Sequence, residues 1–120
     1  MKLPKNQEAI VPERKITGYL LSENHPVGKA KAKYFKSLGY SERNAAHMKE
    51  ALAAIALMNE VTEVISTPFG TKYIVDGGLA TPSGIRARVR TVWIVEAEGD
   101  IPRFVTAYPR DEVNKGVKGD

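Results

Sequence analysis

The chain has no cysteine, two histidines and one tryptophan in 120 residues. Without cysteine there are no disulfides and no thiolate metal sites, and a reducing compartment is permitted. His25 and His47 form no H-x-x-x-H or H-E-x-x-H pair and the carboxylates are scattered, which argues against metal catalysis. No window is long and apolar enough for a membrane span, and the start, Met-Lys-Leu-Pro-Lys-Asn-Gln-Glu, has no apolar h-region. The expectation is a cytoplasmic protein, or a module cut from a larger exported one. Asp76-Gly-Gly lacks the Lys-Ser/Thr of a phosphate-binding loop, and no nucleophile elbow accompanies any serine. No repeat or low-complexity segment interrupts the chain.

What is present is ordinary for one globular domain: 42% hydrophobic and 27% charged residues, enough chain for a core without staples. The net charge of +4 is mild, but the cations are clustered. Lys29, Lys31, Lys33 and Lys36 crowd one segment, and Arg86, Arg88, Arg90 and Arg103 another. A surface where the two runs meet attracts phosphates; apart, each run is a solvated face.

The clearest structural signal is Arg86 to Pro109, where two runs rich in β-branched and aromatic residues flank Glu98-Gly99-Asp100 as an antiparallel hairpin. Alternation puts Val89, Thr91, Trp93 and Val95 on one face of the first strand and Arg88, Arg90, Val92, Ile94 and Glu96 on the other. On the second strand it groups Phe104, Thr106 and Tyr108 against Arg103, Val105 and Ala107. One face thus combines cations, hydroxyls and a phenol.

Upstream, residues 1–11 read as a flexible lead-in and 12–21 as a short helix. A loop at Ser22 to Pro26 leads to a helix over 28–38, closed by Gly39 in left-handed geometry. Ser41 caps a core-packing helix over 42–57. Val61 to Ser66 and Thr71 to Val75 read as strands, Asp76-Gly77-Gly78 as a turn, and 79–85 as a loop. The fold class is α+β: N-terminal helices packed on a four-stranded antiparallel sheet, in one domain over 12–110 with a polar tail over 111–120.

A site built from His, Lys, Arg, Thr and Tyr suits RNA cleavage by its own 2′-hydroxyl, a reaction that needs no cofactor. The enzyme removes that proton, protonates the leaving 5′-oxygen and stabilises a dianionic phosphorane. His25 can act as base or acid. Lys31, Arg88 or Arg90 can hold the phosphate, Tyr108 can donate a proton or stack a base, and Thr106 can bond a phosphate oxygen. Each has a structural alternative: His25 closing its loop and capping the next helix, Lys31 solvated, the arginines paired with Glu96 or the next strand, Tyr108 an ordinary strand-end aromatic.

The stretches N-H-P-V-G-K-A-K-A-K-Y-F-x-x-L-G-Y (24–40), P-F-G-T-K-Y-I-V-D-G (68–77) and R-V-R-T-V-W-I-V-E…P-R-F-V-T-A-Y-P (88–109) resemble an uncharacterised bacterial domain family. Its members occur alone or at the C-termini of large secreted polymorphic toxins. That family is similar to the barnase–EndoU–colicin–RelE (BECR) nuclease superfamily, in which helices precede a four-stranded antiparallel sheet. The resemblance implies a toxin-like, metal-independent ribonuclease leaving a 2′,3′-cyclic phosphate, with tRNA or mRNA as substrate and a small immunity or antitoxin protein as partner. Carried over, it implicates His25, Lys31, Arg90, Thr106 and Tyr108 in catalysis, with Lys29, Lys33, Arg88 and Arg103 binding substrate. The competing reading is a non-catalytic module that binds RNA or protein through the same basic surface. A purely structural or oligomerisation role is a third, and the sequence sets no oligomeric state.

Overall fold

The computed structural model describes residues 1–110; the polar tail read over 111–120 lies outside them. Within that span the α+β reading holds: helices come first, and a four-stranded antiparallel sheet follows in the order β1-β2-β3-β4. The strands are β1 (Val61–Thr67), β2 (Gly70–Leu79), β3 (Ala87–Glu96) and β4 (Arg103–Pro109).

The principal helix, α3 (Ala45–Met58), is entered through a 3-10 turn at Glu42–Asn44. Its start is fixed by a reciprocal capping box. Ser41 Oγ accepts from the Arg43 amide at 3.2 Å, and Asn44 Oδ1 accepts from the Ser41 amide at 2.8 Å. Met48, Leu52, Ile55 and Ala56 bury one stripe of the helix in the core. Each large member contributes about 1.5–3 kcal/mol by leaving water.

On the sheet side, Val75, Leu79, Val89, Trp93, Phe104 and Ala107 complete the core. Trp93 and Phe104 meet edge to face at 5.3 Å. Trp93 Nε1 donates to Thr91 Oγ1 at 2.8 Å, and the Thr91 hydroxyl donates to the Val75 carbonyl at 2.7 Å. The buried indole N–H is therefore satisfied.

Four expectations change. Residues 1–11 are a packed segment, not a loose lead-in: Leu3 and Val11 are buried, and Ile10 bridges β4 beside Arg103. The first helix is only α1 (Glu13–Lys15), which widens into a π-helical turn, Ile16–Leu20. Asp76-Gly77-Gly78 is not a turn but the second half of β2. The glycines admit neighbours instead: a Cβ at Gly77 would sit 2.6 Å from Asn59 Nδ2 and 2.9 Å from Ile55 Cγ2.

The fourth change is in β4. Val92 pairs with Thr106 but Trp93 with Phe104, so Val105 is an extra, bulged residue. The bulge lets Phe104 and Ala107 both enter the core, and it separates Phe104 from Thr106 and Tyr108, which strict alternation had grouped together. On β3 the alternation holds, with Val89, Thr91 and Trp93 buried and Arg88 and Arg90 on the opposite face.

Candidate functional site

The residues at issue gather where the π-turn, the start of α2 (Lys29–Ser37) and the end of β4 meet. Tyr19, from the π-turn, lies at the centre. Its hydroxyl is 2.9 Å from Thr106 Oγ1. Its ring lies 5.0 Å from that of His25 in a T-shaped contact, and the Lys31 ammonium sits 5.8 Å from its centroid. Lys31 also approaches the Tyr108 ring, at 5.9 Å. An ammonium near two aromatic rings is attracted by their quadrupoles.

This closeness depends on Gly28. A Cβ there would lie 2.4 Å from the Tyr19 carbonyl oxygen and 2.9 Å from Tyr19 Cδ1. Only glycine lets the α2 entry lie flat on the π-turn.

His25 does close its loop. Its Nδ1 accepts from the Val27 and Gly28 amides, both at 3.0 Å, and the Lys29 amide donates to the His25 carbonyl at 3.0 Å. This is the i+2 and i+3 capping pattern usual for Asp, Asn or Ser. The consequence is chemical as well as structural. With Nδ1 committed to two donors, the neutral ring carries its proton on Nε2, so His25 presents a donor to its surroundings.

Across the sheet, Asp76, Arg90 and Tyr108 occupy one row on β2, β3 and β4. Arg90 grips Asp76 bidentately, Nε to Oδ1 at 2.8 Å and Nη2 to Oδ2 at 3.0 Å, and Arg110 Nε adds a third bond to Oδ2 at 2.8 Å. Burial alone would push the Asp76 carboxyl up, but the Arg90 bonds and the charges of both arginines outweigh it and hold the group below the usual carboxylate range. Arg90 is raised further above its ordinary value, chiefly by the Asp76 bond against the cost of burial, with Tyr108 helping. Two of its five donors are spent on Asp76, so the guanidinium is fixed on the sheet with others to spare.

The remaining predicted residues divide. Arg88 is exposed on the same face as Arg90. Lys29 and Lys33 are exposed on α2. Arg103 instead pairs with Glu96 across the hairpin. Lys36, of the same lysine run, is tied to Glu23 and Glu42.

Beside Tyr19 opens a cavity of about 510 Å³, whose walls include Arg14, Lys15, His25, Val27, Val105 and Thr106. Lys15 lies 5.4 Å from the centroid of the Tyr19 ring. Sequence reasoning passed over Tyr19, Asp76, Arg14 and Lys15. Tyr19 reads as a helical core position and Asp76 as a turn residue, and only long-range packing gives either its role.

The chain belongs to a family described as a domain of unknown function, DUF6883. The family model matches residues 2–111, nearly the whole chain. No curated protein matches it in sequence. Among solved structures, this DUF6883 domain is similar to a chain of a contact-dependent growth inhibition toxin–immunity protein complex from Klebsiella pneumoniae 342. The TM-score is 0.69 at 18% identity, covering 88% of this chain and 97% of that one. At that identity the likeness is one of fold. No helix among the described residues is long and apolar enough to cross a membrane.

Proposed function

We propose that this domain is a toxin-like, metal-independent endoribonuclease that cleaves RNA by 2′-hydroxyl attack and leaves a 2′,3′-cyclic phosphate. The observation that carries the reading is the convergence on Tyr19 and its neighbours of His25, Lys31, Thr106 and Tyr108, with Arg90 anchored in the same row as Tyr108. These five residues come from three separate parts of the chain. The fold shared with a chain of a toxin–immunity protein complex supports a toxin-type role, and relation to the BECR nucleases belongs to the same proposal.

The reading gives each residue a role. Lys31, near two phenol rings, carries the charge that meets the scissile phosphate, and Arg90, fixed on the sheet by Asp76, and exposed Arg88 add to it; cations of this kind stabilise the phosphorane. His25 offers Nε2–H, a hydrogen-bond donor to a non-bridging oxygen. That leaves the proton transfers to a second group: the Tyr108 hydroxyl in the same cluster can take the 2′-hydroxyl proton and give one to the leaving 5′-oxygen, while Lys31 keeps its charge. Thr106, bonded to Tyr19, fixes the edge of the site, and Lys29 and Lys33 steer RNA from α2. A small immunity protein with acidic side chains would neutralise this face.

A binding module without catalysis is the second reading. It is favoured by His25 serving as a loop cap and Arg90 being bound to Asp76. Digestion of total tRNA and a mixed-sequence RNA in excess EDTA, with analysis of product ends, separates the two. Cyclic-phosphate ends that disappear in Lys31→Ala support the enzyme. Intact RNA that is nonetheless bound, with affinity falling steeply in salt, supports the module.

A further inference from the structure

The cavity beside Tyr19 has a charge imbalance that the five-residue site does not use. Among the described residues Arg14 and Lys15 both line it, and no carboxylate does. Arg14 is exposed and makes no hydrogen bond or ion pair among the described residues. Lys15 is half-buried against the Tyr19 ring. Burial pushes the Lys15 ammonium down, Tyr19 offsets part of this, and the like charges of Arg103 and Arg14 act in the same direction as burial. Arg103 has its own counter-ion in Glu96. Cations gathered without an acid of their own are a standing cost to the fold that an anion would remove.

The other walls set the kind of anion. His25 presents its Nε2–H, and the Tyr19–Thr106 hydroxyl pair, which shares one proton internally, keeps the other free to donate. Several donors and two charges around one space suit the multiple oxygens of a phosphate better than a single carboxylate. Val27 and Val105 add an apolar wall, and about 510 Å³ exceeds what a bare phosphate fills. A sugar and base fit beside the phosphate.

The cavity is also continuous with the proposed reaction site. Thr106, His25 and Tyr19 belong to both, whereas Lys31, Arg88 and Arg90 do not line the cavity. We infer that the cavity is a nucleotide-phosphate pocket, which in the ribonuclease reading holds the nucleotide next to the cleaved bond, so that a single strand is gripped at two successive phosphates. The ligand class rests on the cavity itself; only its place along the strand rests on the ribonuclease reading.

The test uses the full chain, isotope-labelled for NMR, titrated separately with AMP, inorganic phosphate and adenosine. AMP should shift the amides of Gly18, Val27, Val105 and Thr106 and bind more tightly than inorganic phosphate, and adenosine should bind neither there nor elsewhere. Arg14→Ala, at an exposed position, should weaken AMP about tenfold, the loss of one charge-assisted hydrogen bond. Lys31→Ala should weaken AMP less than Arg14→Ala does, since Lys31 does not line the cavity. The proposal is overturned if adenosine binds as well as AMP, if AMP is no tighter than phosphate, if the shifts fall only around Lys31 and Arg88, or if Arg14→Ala changes nothing. Cleavage of RNA by the same preparation keeps the two ideas apart. AMP in the cavity with RNA uncut removes the ribonuclease and leaves the pocket; RNA cut with the cavity never occupied removes the pocket alone.

Discussion

Replacing Asp76 by Asn tests whether the row across the sheet is a stabilising ion cluster. The carboxylate is 8% exposed and receives three charge-assisted bonds, from Arg90, 20% exposed, and Arg110, 33% exposed. Removing one partner of a fully buried pair costs about 3–5 kcal/mol, because the other charge stays buried. Both guanidiniums here retain access to water and Asn keeps one acceptor, so the expected loss is about 2–3 kcal/mol at pH 7. The sign with pH follows from linkage. The Asp76 carboxyl is held below its unfolded value, so its contribution is full above about pH 4, the unfolded carboxyl range, and is lost as pH falls through the folded value. Urea unfolding of wild type and Asp76→Asn should therefore show a gap at pH 7 that closes on acidification, with unchanged m-values. A gap below about 0.5 kcal/mol at pH 7, the range of an indifferent surface change, or one that persists at pH 2, would mean that the row is not a stabilising ion cluster.

His25→Ala should lose about 1 kcal/mol with its two capping bonds, while His25→Asn, whose amide oxygen can accept the same amides, should lose little. Both should lose RNA cleavage, so comparing thermal midpoints with rates separates the cap from the chemistry. Gly28→Ala should destabilise by about 1–3 kcal/mol through overpacking against Tyr19, read by thermal melting; equal stability would mean the α2 entry moves freely. Thr91→Val leaves the Trp93 indole N–H buried without an acceptor, at a cost of about 1–3 kcal/mol, followed by denaturant unfolding through the fluorescence of the one tryptophan.

Much of this was legible in the sequence wherever one residue's neighbours decide its structure. Ser41 as an N-cap, Gly39 in left-handed geometry, and the alternation of Val89, Thr91 and Trp93 are local signals, and each is realised. What failed depends on distant partners. Gly77 and Gly78 read as a turn because nothing nearby reveals that Asn59 and Ile55 crowd that strand. The Val105 bulge has no composition signature, yet it decides that Phe104 packs inward while Thr106 meets Tyr19. Of the predicted site residues, His25, Lys31, Arg90, Thr106 and Tyr108 lie in one cluster, while Arg103 is held apart by Glu96. The residue that links most of the cluster, Tyr19, went unnoticed because helical spacing made it a core candidate, and the π-turn instead turns it toward β4.

The most direct test of the central claim is a digest, in excess EDTA, of one RNA and of the same strand with 2′-deoxy nucleotides throughout, with product ends analysed by mass spectrometry. The RNA should be cut to 2′,3′-cyclic phosphate ends, and the deoxy strand, lacking the internal nucleophile, should be bound but untouched. Cleavage of both strands, or an uncut RNA, would contradict the claim.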